Sequence, residues 1–540
     1  MTIMPFVTRH RSSLLLAVVL VFTAIVIARG ITRGEFHLNT DEGYHATTGL
    51  YIVDFLRDLP LAHPVRYTYE YYAQYPALGL IHWPPFFYFV EGAIFLLAGP
   101  SVVSARVTVL FFAIFGLYFW FKLVKELENE WTAAVSTLVM ACIPSILLYE
   151  KAVMLEIPSL ALCIAATYFW FGYLERAESR SLYFFVAFAS VAQLTKQQSV
   201  YLALLCLFTI IATRKWRQLL SRSTLWAIGI SLLIVGPFYA LNFGIDRKSV
   251  AANLLKGAYT LSNPLTFYLQ ELPHQLGWIL LGLSILGVLT CSRWANKQSA
   301  ILMFSWIVAW YVTYLIIGTK TTRYMVYWLP AFVFFAVGPL TSPVLPKRIR
   351  AGTALVALAL AGGYGWIGWT YERPYVTGYR TLASDVLNNS DGGVVLFDGD
   401  LEANFIFFMR AMDPHRRFVI LRKALYVTSV MPQFESVELV HSTGDIEDIL
   451  DQYGIRYVAV ESNTPLRFNS QKILRDLLTT PQFALVRSIP IKSNIPDWRA
   501  RSLLLYENLQ VKPRATNLLH LRMLSMSHDI VVSLDNLLKR

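Results

Sequence analysis

Long apolar runs separated by short polar loops fill the chain up to about residue 370 and then give way to mixed sequence. A membrane span needs about 20 mainly apolar residues. The runs 12–30, 104–122, 131–149, 155–174, 182–195, 199–213, 224–242, 276–291, 300–317, 324–340 and 351–370 are therefore expected to be spans, about eleven in all. The apolar stretch 83–99 opens on Pro84–Pro85 and carries Glu91, which suits an interfacial or re-entrant helix better than a crossing one. After residue 371 the pattern changes. The runs 394–397, 456–460, 483–489 and 502–506 read as strands. Residues 445–453 have helical spacing, with Gly454 where a helix C-cap belongs. The expected architecture is an α-helical polytopic membrane domain over 1–371 with interfacial helices, followed by an α/β domain over 372–540.

The charges agree with that division. Only 15% of the residues are charged, against about 25% in soluble domains. Of the 35 acidic residues, 16 lie in residues 1–371 and 19 in residues 372–540. The net charge of +12 collects in short loops between apolar runs, so it reads as an orientation signal and nucleic acid is excluded as a partner. If 83–99 does not cross, Arg9, Arg11, Lys122, Lys125, Arg176, Arg180, Arg214, Arg293 and Arg348 share one side, the cytoplasm. The loops 31–103, 150–155, 195–198, 243–275 and 318–323, and the domain 372–540, then share the outer face. The run 14–28 is followed by Arg29, Gly30 and Arg33 with no small-residue cleavage site, and is expected to remain as the first helix. Cys142, Cys163, Cys206 and Cys291 lie in or beside apolar runs and form neither a disulfide framework nor a metal motif.

Polar groups at helix mouths concentrate in a few places. Asp41, Glu42, Tyr44 and His45 open the first outer loop, where Asn39, Thr40 or Asp41 is equally placed to cap a helix. His82-Trp83-Pro84-Pro85 closes that loop, and Glu156-Ile157-Pro158 follows the next outer turn. The outer face also carries Lys151, Lys196, Arg247, Lys248, Lys320 and Arg323, on the side that should be poor in cations. Each alone is explained as a cap, an interface anchor or a snorkelling side chain. Together they suit sugar transfer from a lipid phosphate: a carboxylate to take a hydroxyl proton and cations to stabilise a departing phosphate.

At these residues the chain resembles the GT-C superfamily of integral-membrane glycosyltransferases, in the branch of protein O-mannosyltransferases and lipid A aminoarabinose transferases. The resemblance rests on Asp41-Glu42 with Tyr44, on Pro84-Pro85-Phe86, on Glu156-x-Pro158, and on Arg323-Tyr324 followed by Pro330. It covers roughly residues 1–371. It implies an inverting transfer, on the outer face of a bacterial inner membrane, from a polyprenyl-phosphate sugar (undecaprenyl phosphate being the bacterial carrier) to a hydroxyl of a glycan, lipid or protein. It makes Asp41 the general base, with Glu42 and Glu156 positioning acceptor or sugar. Tyr44, His82, Lys151, Lys196, Lys320 and Arg323 become the substrate-binding set. The resemblance fixes no cofactor and leaves open a divalent cation, Mg²⁺ or Mn²⁺, at Asp41 and Glu156. The aminoarabinose transferases have Lys before Pro-Pro, whereas this chain has His82-Trp83, which argues against that particular reaction. The competing readings are a lipid-linked glycan ligase or polymerase, a transporter, and a sensor with 372–540 as ligand module. No internal repeat of the transporter kind is present.

Overall fold

The computed structural model describes residues 4–38, 40–80, 82–245, 265–317, 320–428, 436–524, 526 and 528–538. The chain opens with α1 (Met4–Ala28), and the expected first loop folds into α2 (Asp41–Asp58), α3 (Pro64–Gln74) and α4 (Phe86–Ala98). There follow α5 (Val102–Leu127), α6 (Glu130–Ala141), α7 (Pro144–Glu150), α8 (Glu156–Arg176) and α9 (Ser179–Gln193). Further helices at Tyr201–Thr213, Arg222–Ile245, Phe267–Leu276, Trp278–Leu289, Lys297–Ile316, Leu329–Thr341 and Lys347–Thr370 complete the bundle.

Six of these helices are single spans by length and apolarity: those that begin at Met4, Val102, Glu156, Arg222, Lys297 and Lys347. Two more expected spans are broken. The run 131–149 bends by 71° between α6 and α7, where Pro144 cannot donate the hydrogen bond that would continue α6. The run 276–291 starts beyond a 112° bend at Gly277, whose φ of +80° a side chain would resist. The runs 182–195, 199–213 and 324–340 form helices that are shorter than a span, of 15, 13 and 13 residues. Helix α4 has 13 residues, too few to cross. Arg247, Lys248 and Lys256 lie outside the described residues.

Helix α8 sits at the centre of the bundle, buried along nearly its whole length. It approaches α5 where a Cβ on Gly116 would stand 2.8 Å from that of Ala161. Such close backbone approach through small residues is how helices pack where lipid removes the hydrophobic drive.

After Thr370 the chain builds a five-stranded sheet. Its strands are β1 (Gly393–Asp398), β2 (Phe418–Leu421), β5 (Tyr457–Glu461), β6 (Phe483–Pro490) and β7 (Ser502–Asn508), in the order β2-β1-β5-β7-β6. The first three run parallel and the last two antiparallel. Tyr426–Val427 and Val437–Glu438 form the short pair β3–β4. The four strands expected from sequence are all present, and the helix Thr443–Tyr453 ends on Gly454 in the left-handed conformation. β2 was not anticipated, being a four-residue apolar run without alternation.

Helices α2 and α3 carry the sheet region. Asp54 of α2 accepts from Arg410 Nε at 2.8 Å and from the Tyr71 hydroxyl at 2.7 Å. Asp58 accepts from Arg416 Nη2 at 2.7 Å. The Gln74 amide donates to the carbonyls of Arg416, Phe418 and Leu537. Glu35 accepts from the backbone N–H groups of Tyr379 and Arg380, capping the helix Tyr379–Asn389. A Cβ on Gly43 would meet the Ala403 backbone at 2.7 Å, so α2 and the helix Glu402–Met412 touch backbone to backbone.

Arg410 and Asp54 are 5% and 1% exposed. Replacing Arg410 with Ala leaves a buried charge alone, and is expected to cost about 3–5 kcal/mol. Thermal unfolding of the purified protein in detergent would read this as a lowered midpoint.

Candidate active site

Helix α2 begins abruptly. Thr40, at its N-cap, has φ +61° and ψ −23° and makes no side-chain cap. A β-branched residue in that region is strained, and strain of this kind concentrates at functional sites. Of the expected cap candidates Asn39 lies outside the described residues, and Asp41 opens the helix with its carboxylate turned to another partner. That partner is Arg323, in the 3₁₀ turn Thr322–Tyr327, whose Nη1 donates to Asp41 Oδ2 at 2.8 Å. Arg323 Nε lies 3.7 Å from Glu156 Oε1, and Lys196 Nζ donates to the same oxygen at 2.5 Å. Four residues far apart in sequence thus form one line of alternating charge, Asp41–Arg323–Glu156–Lys196, at one end of the bundle. Glu156 is fully buried in the first turn of α8 and Lys196 is 3% exposed, whereas Asp41 and Arg323 retain 15% and 25%.

Burial raises the pKa of Asp41, and the Arg323 charge and hydrogen bond oppose it. Burial likewise lowers that of Lys196, against the pull of Glu156. His45, one turn along α2, meets the Tyr88 hydroxyl at 2.8 Å and the edge of Trp83. Burial holds it well below its ordinary pKa, helped by Lys196 and Arg323.

Asp41 opens onto a cavity of about 280 Å³ between the bundle and the sheet region. Its bundle wall is Thr40, Asp41, Tyr44, Tyr72, His82 and Trp83, and its opposite wall includes Arg422, Lys423, Tyr426, Arg467, Phe468 and Gln471. Of the residues singled out in the sequence, Asp41, Tyr44 and His82 line this cavity, and Arg323, Glu156 and Lys196 stand behind Asp41. The Tyr44 hydroxyl bonds Glu402 and Arg422, and the His82 carbonyl accepts from Gln197.

Three expected residues lie elsewhere. Glu42 points away from the cavity: its carboxylate accepts from the backbone N–H of His37 at 2.8 Å, Leu38 at 3.1 Å and Val153 at 2.9 Å, with Arg373 at 3.5 Å. Lys151 donates to the Arg29 carbonyl, and burial pushes it down to about 8 although Glu150 opposes the shift. Lys320 donates to the carbonyls of Leu315 and Ile317, closing the C-terminus of the helix Lys297–Ile316. Arg422 and Lys423 were not foreseen, because they sit after a strand with no local motif to mark them.

The donor set does not fit a divalent cation at Asp41 and Glu156. Both carboxylates converge on a guanidinium and an ammonium, and no group of three or more His, Cys, Asp or Glu suited to a metal occurs among the described residues.

Part of the chain is similar in sequence to a family of mannosyltransferases, and the described fold is similar to solved structures. Residues 82–240 match the sequence model of the family described as dolichyl-phosphate-mannose-protein mannosyltransferase. ArnT from Cupriavidus metallidurans bound to undecaprenyl phosphate superposes with a TM-score of 0.62 at 15% identity, over 91% of this chain and 97% of that one. Its apo form gives the same score and identity over 94% and 100%. The apo oligosaccharyltransferase of Archaeoglobus fulgidus gives 0.50 at 11% identity, over 83% and 69%. No curated protein sequence matches the chain.

Glu42→Ala removes the acceptor of three backbone N–H groups and the partner of a buried arginine. It is expected to destabilise the fold by about 3 kcal/mol or more, seen as a lowered unfolding midpoint. A Glu42→Gln variant that unfolds like wild type yet has lost turnover would instead place Glu42 in the chemistry.

Proposed function

We propose that the protein is an inverting glycosyltransferase that moves a sugar from a polyprenyl-phosphate donor to an acceptor hydroxyl on the outer face of the membrane, with the sheet region 372–540 on that face. The observation that carries this reading is the line of alternating charge that ends, at Asp41, on a cavity between the bundle and the sheet region. A carboxylate there is placed to be a base, and the two cations behind it are placed to receive an anion. Undecaprenyl phosphate is bound by the ArnT structure that is similar in fold, and a lipid phosphate is the ligand that this cation pair would serve here.

In this mechanism the donor phosphate pairs with Arg323 and Lys196. The acceptor hydroxyl approaches the sugar C1 from the side opposite the phosphate, within reach of Asp41 Oδ. The new C1–O bond forms as the old C1–O bond breaks, and the polyprenyl phosphate leaves with the electron pair. Asp41 takes the hydroxyl proton. Glu156 holds Lys196 and Arg323 in place between turnovers, and burial makes their charges count for more than they would in water. No step requires a metal ion.

Full-length protein in nanodiscs, supplied with radiolabelled polyprenyl-phosphate sugars, tests this directly. One sugar of the panel is expected to be released or transferred, and Asp41→Asn is expected to slow it by about 10²–10⁴-fold. Wild-type turnover in Asp41→Asn would remove the base assignment. The pH profile gives a second check: Arg323→Ala removes the influence that lowers the Asp41 pKa, so the acid limb of the activity profile should move to higher pH. An acid limb that stays in place or moves to lower pH contradicts the pairing.

A further inference from the structure

Among the described residues, the far wall of the cavity carries more positive charge than it neutralises. Three carboxylates line the cavity, and each already faces a cation: Asp41 faces Arg323 at 2.8 Å, Asp400 faces Arg501 at 2.7 Å, and Glu402 faces Arg422. Lys423 and Arg467 remain. Among the described residues neither has a carboxylate within ion-pair distance, and Lys423 Nζ donates only to the Tyr72 hydroxyl at 2.8 Å and to the weak acceptor Met523 Sδ. Tyr72 records the resulting field. Its burial acts to raise the phenol, yet Lys423 and Arg422 bring it below its ordinary pKa. Next to this charge lies aromatic surface: Tyr426 and Phe468 stack at 4.4 Å and 25°, and Trp83 faces them across the cavity lining.

A ligand suited to this wall has an anionic group for Lys423 and Arg467, a flat weakly polar face for the rings, and a hydroxyl that reaches Asp41. We propose that the wall formed by Lys423, Arg467, Tyr426 and Phe468 is the acceptor subsite, and that it takes an anionic saccharide, a sugar bearing a phosphate or a carboxylate. This rests on the transferase reading above and adds to it the class of acceptor. The sheet region is then the part of the protein that selects what is glycosylated, while the bundle supplies the base and the donor contacts. A neutral glycan leaves Lys423 and Arg467 without counter-charge, and an extended neutral peptide leaves them so as well.

Binding and turnover separate the two layers of the argument. Equilibrium dialysis of the full-length protein in nanodiscs would compare glucose 6-phosphate, glucuronate, glucose and a neutral serine-rich peptide. The two anionic sugars are expected to bind at least tenfold more tightly than glucose, less tightly as salt rises, with the phosphate and carboxylate arms deciding which anion is preferred. Lys423→Gln with Arg467→Gln should weaken anionic-sugar binding by about tenfold or more and leave acceptor-independent hydrolysis of the polyprenyl-phosphate sugar within about twofold. Equal binding of glucose, preference for the peptide, or anionic binding indifferent to the double substitution would overturn the proposal. Loss of donor hydrolysis in the wild-type protein would instead count against the transferase reading, and the binding comparison would still decide the subsite.

Discussion

Helix α2 is held on both sides by arginines, and the active-site geometry depends on that hold. Glu42 meets Arg373, Asp54 meets Arg410 and Asp58 meets Arg416, so three of the four carboxylates of this helix are matched by cations from the chain after residue 370. Buried charges are costly unless paired, and these pairs form only when the sheet region is seated. The same helix presents Asp41 at its first residue. The position of the proposed base is therefore fixed by contacts made along the rest of the helix, and the strained Thr40 is tolerated because those contacts over-determine it.

A second consequence concerns charge balance at the bundle mouth. The line Asp41–Arg323–Glu156–Lys196 is neutral in total, which lets four ionisable groups sit largely out of water. Binding an anion there adds a charge that must be met by cations already engaged with carboxylates. The exposed end of the line is Asp41 and Arg323, and its buried end is Glu156 and Lys196, so the exchange of partners is easiest next to the cavity.

Much of this was legible in the sequence. The apolar runs marked the helices, the alternating runs marked four of the strands, and Gly454 marked a helix end, since each is a local pattern of period 3.6 or 2 or a backbone requirement. The run broken at Pro144 was read as continuous because composition alone does not register a bend, and the helix that ends at Leu276 was read as part of a loop. In the site, Asp41, Glu156, Lys196 and Arg323 all announced themselves as charges at helix mouths, where a charge needs a reason. Glu42 and Lys151 share that signature but satisfy backbone groups instead, a distinction that only neighbours distant in sequence can make. Arg422, Lys423 and Arg467 lie in ordinary mixed sequence, where charged residues are unremarkable until the fold brings them over Asp41.

The contact at Gly43 bears on how such a protein can vary. With the α2 backbone against that of Ala403, position 43 has no room for a side chain, so the spacing between α2 and the helix Glu402–Met412 is a constant of the scaffold. Changes in what the chamber admits are left to its rim, the segments around Lys423–Thr428 and Pro465–Gln471, which line the cavity outside the five-stranded sheet. A fixed helix contact with an editable rim lets the chamber's opening vary while the helix that carries Asp41 stays in place.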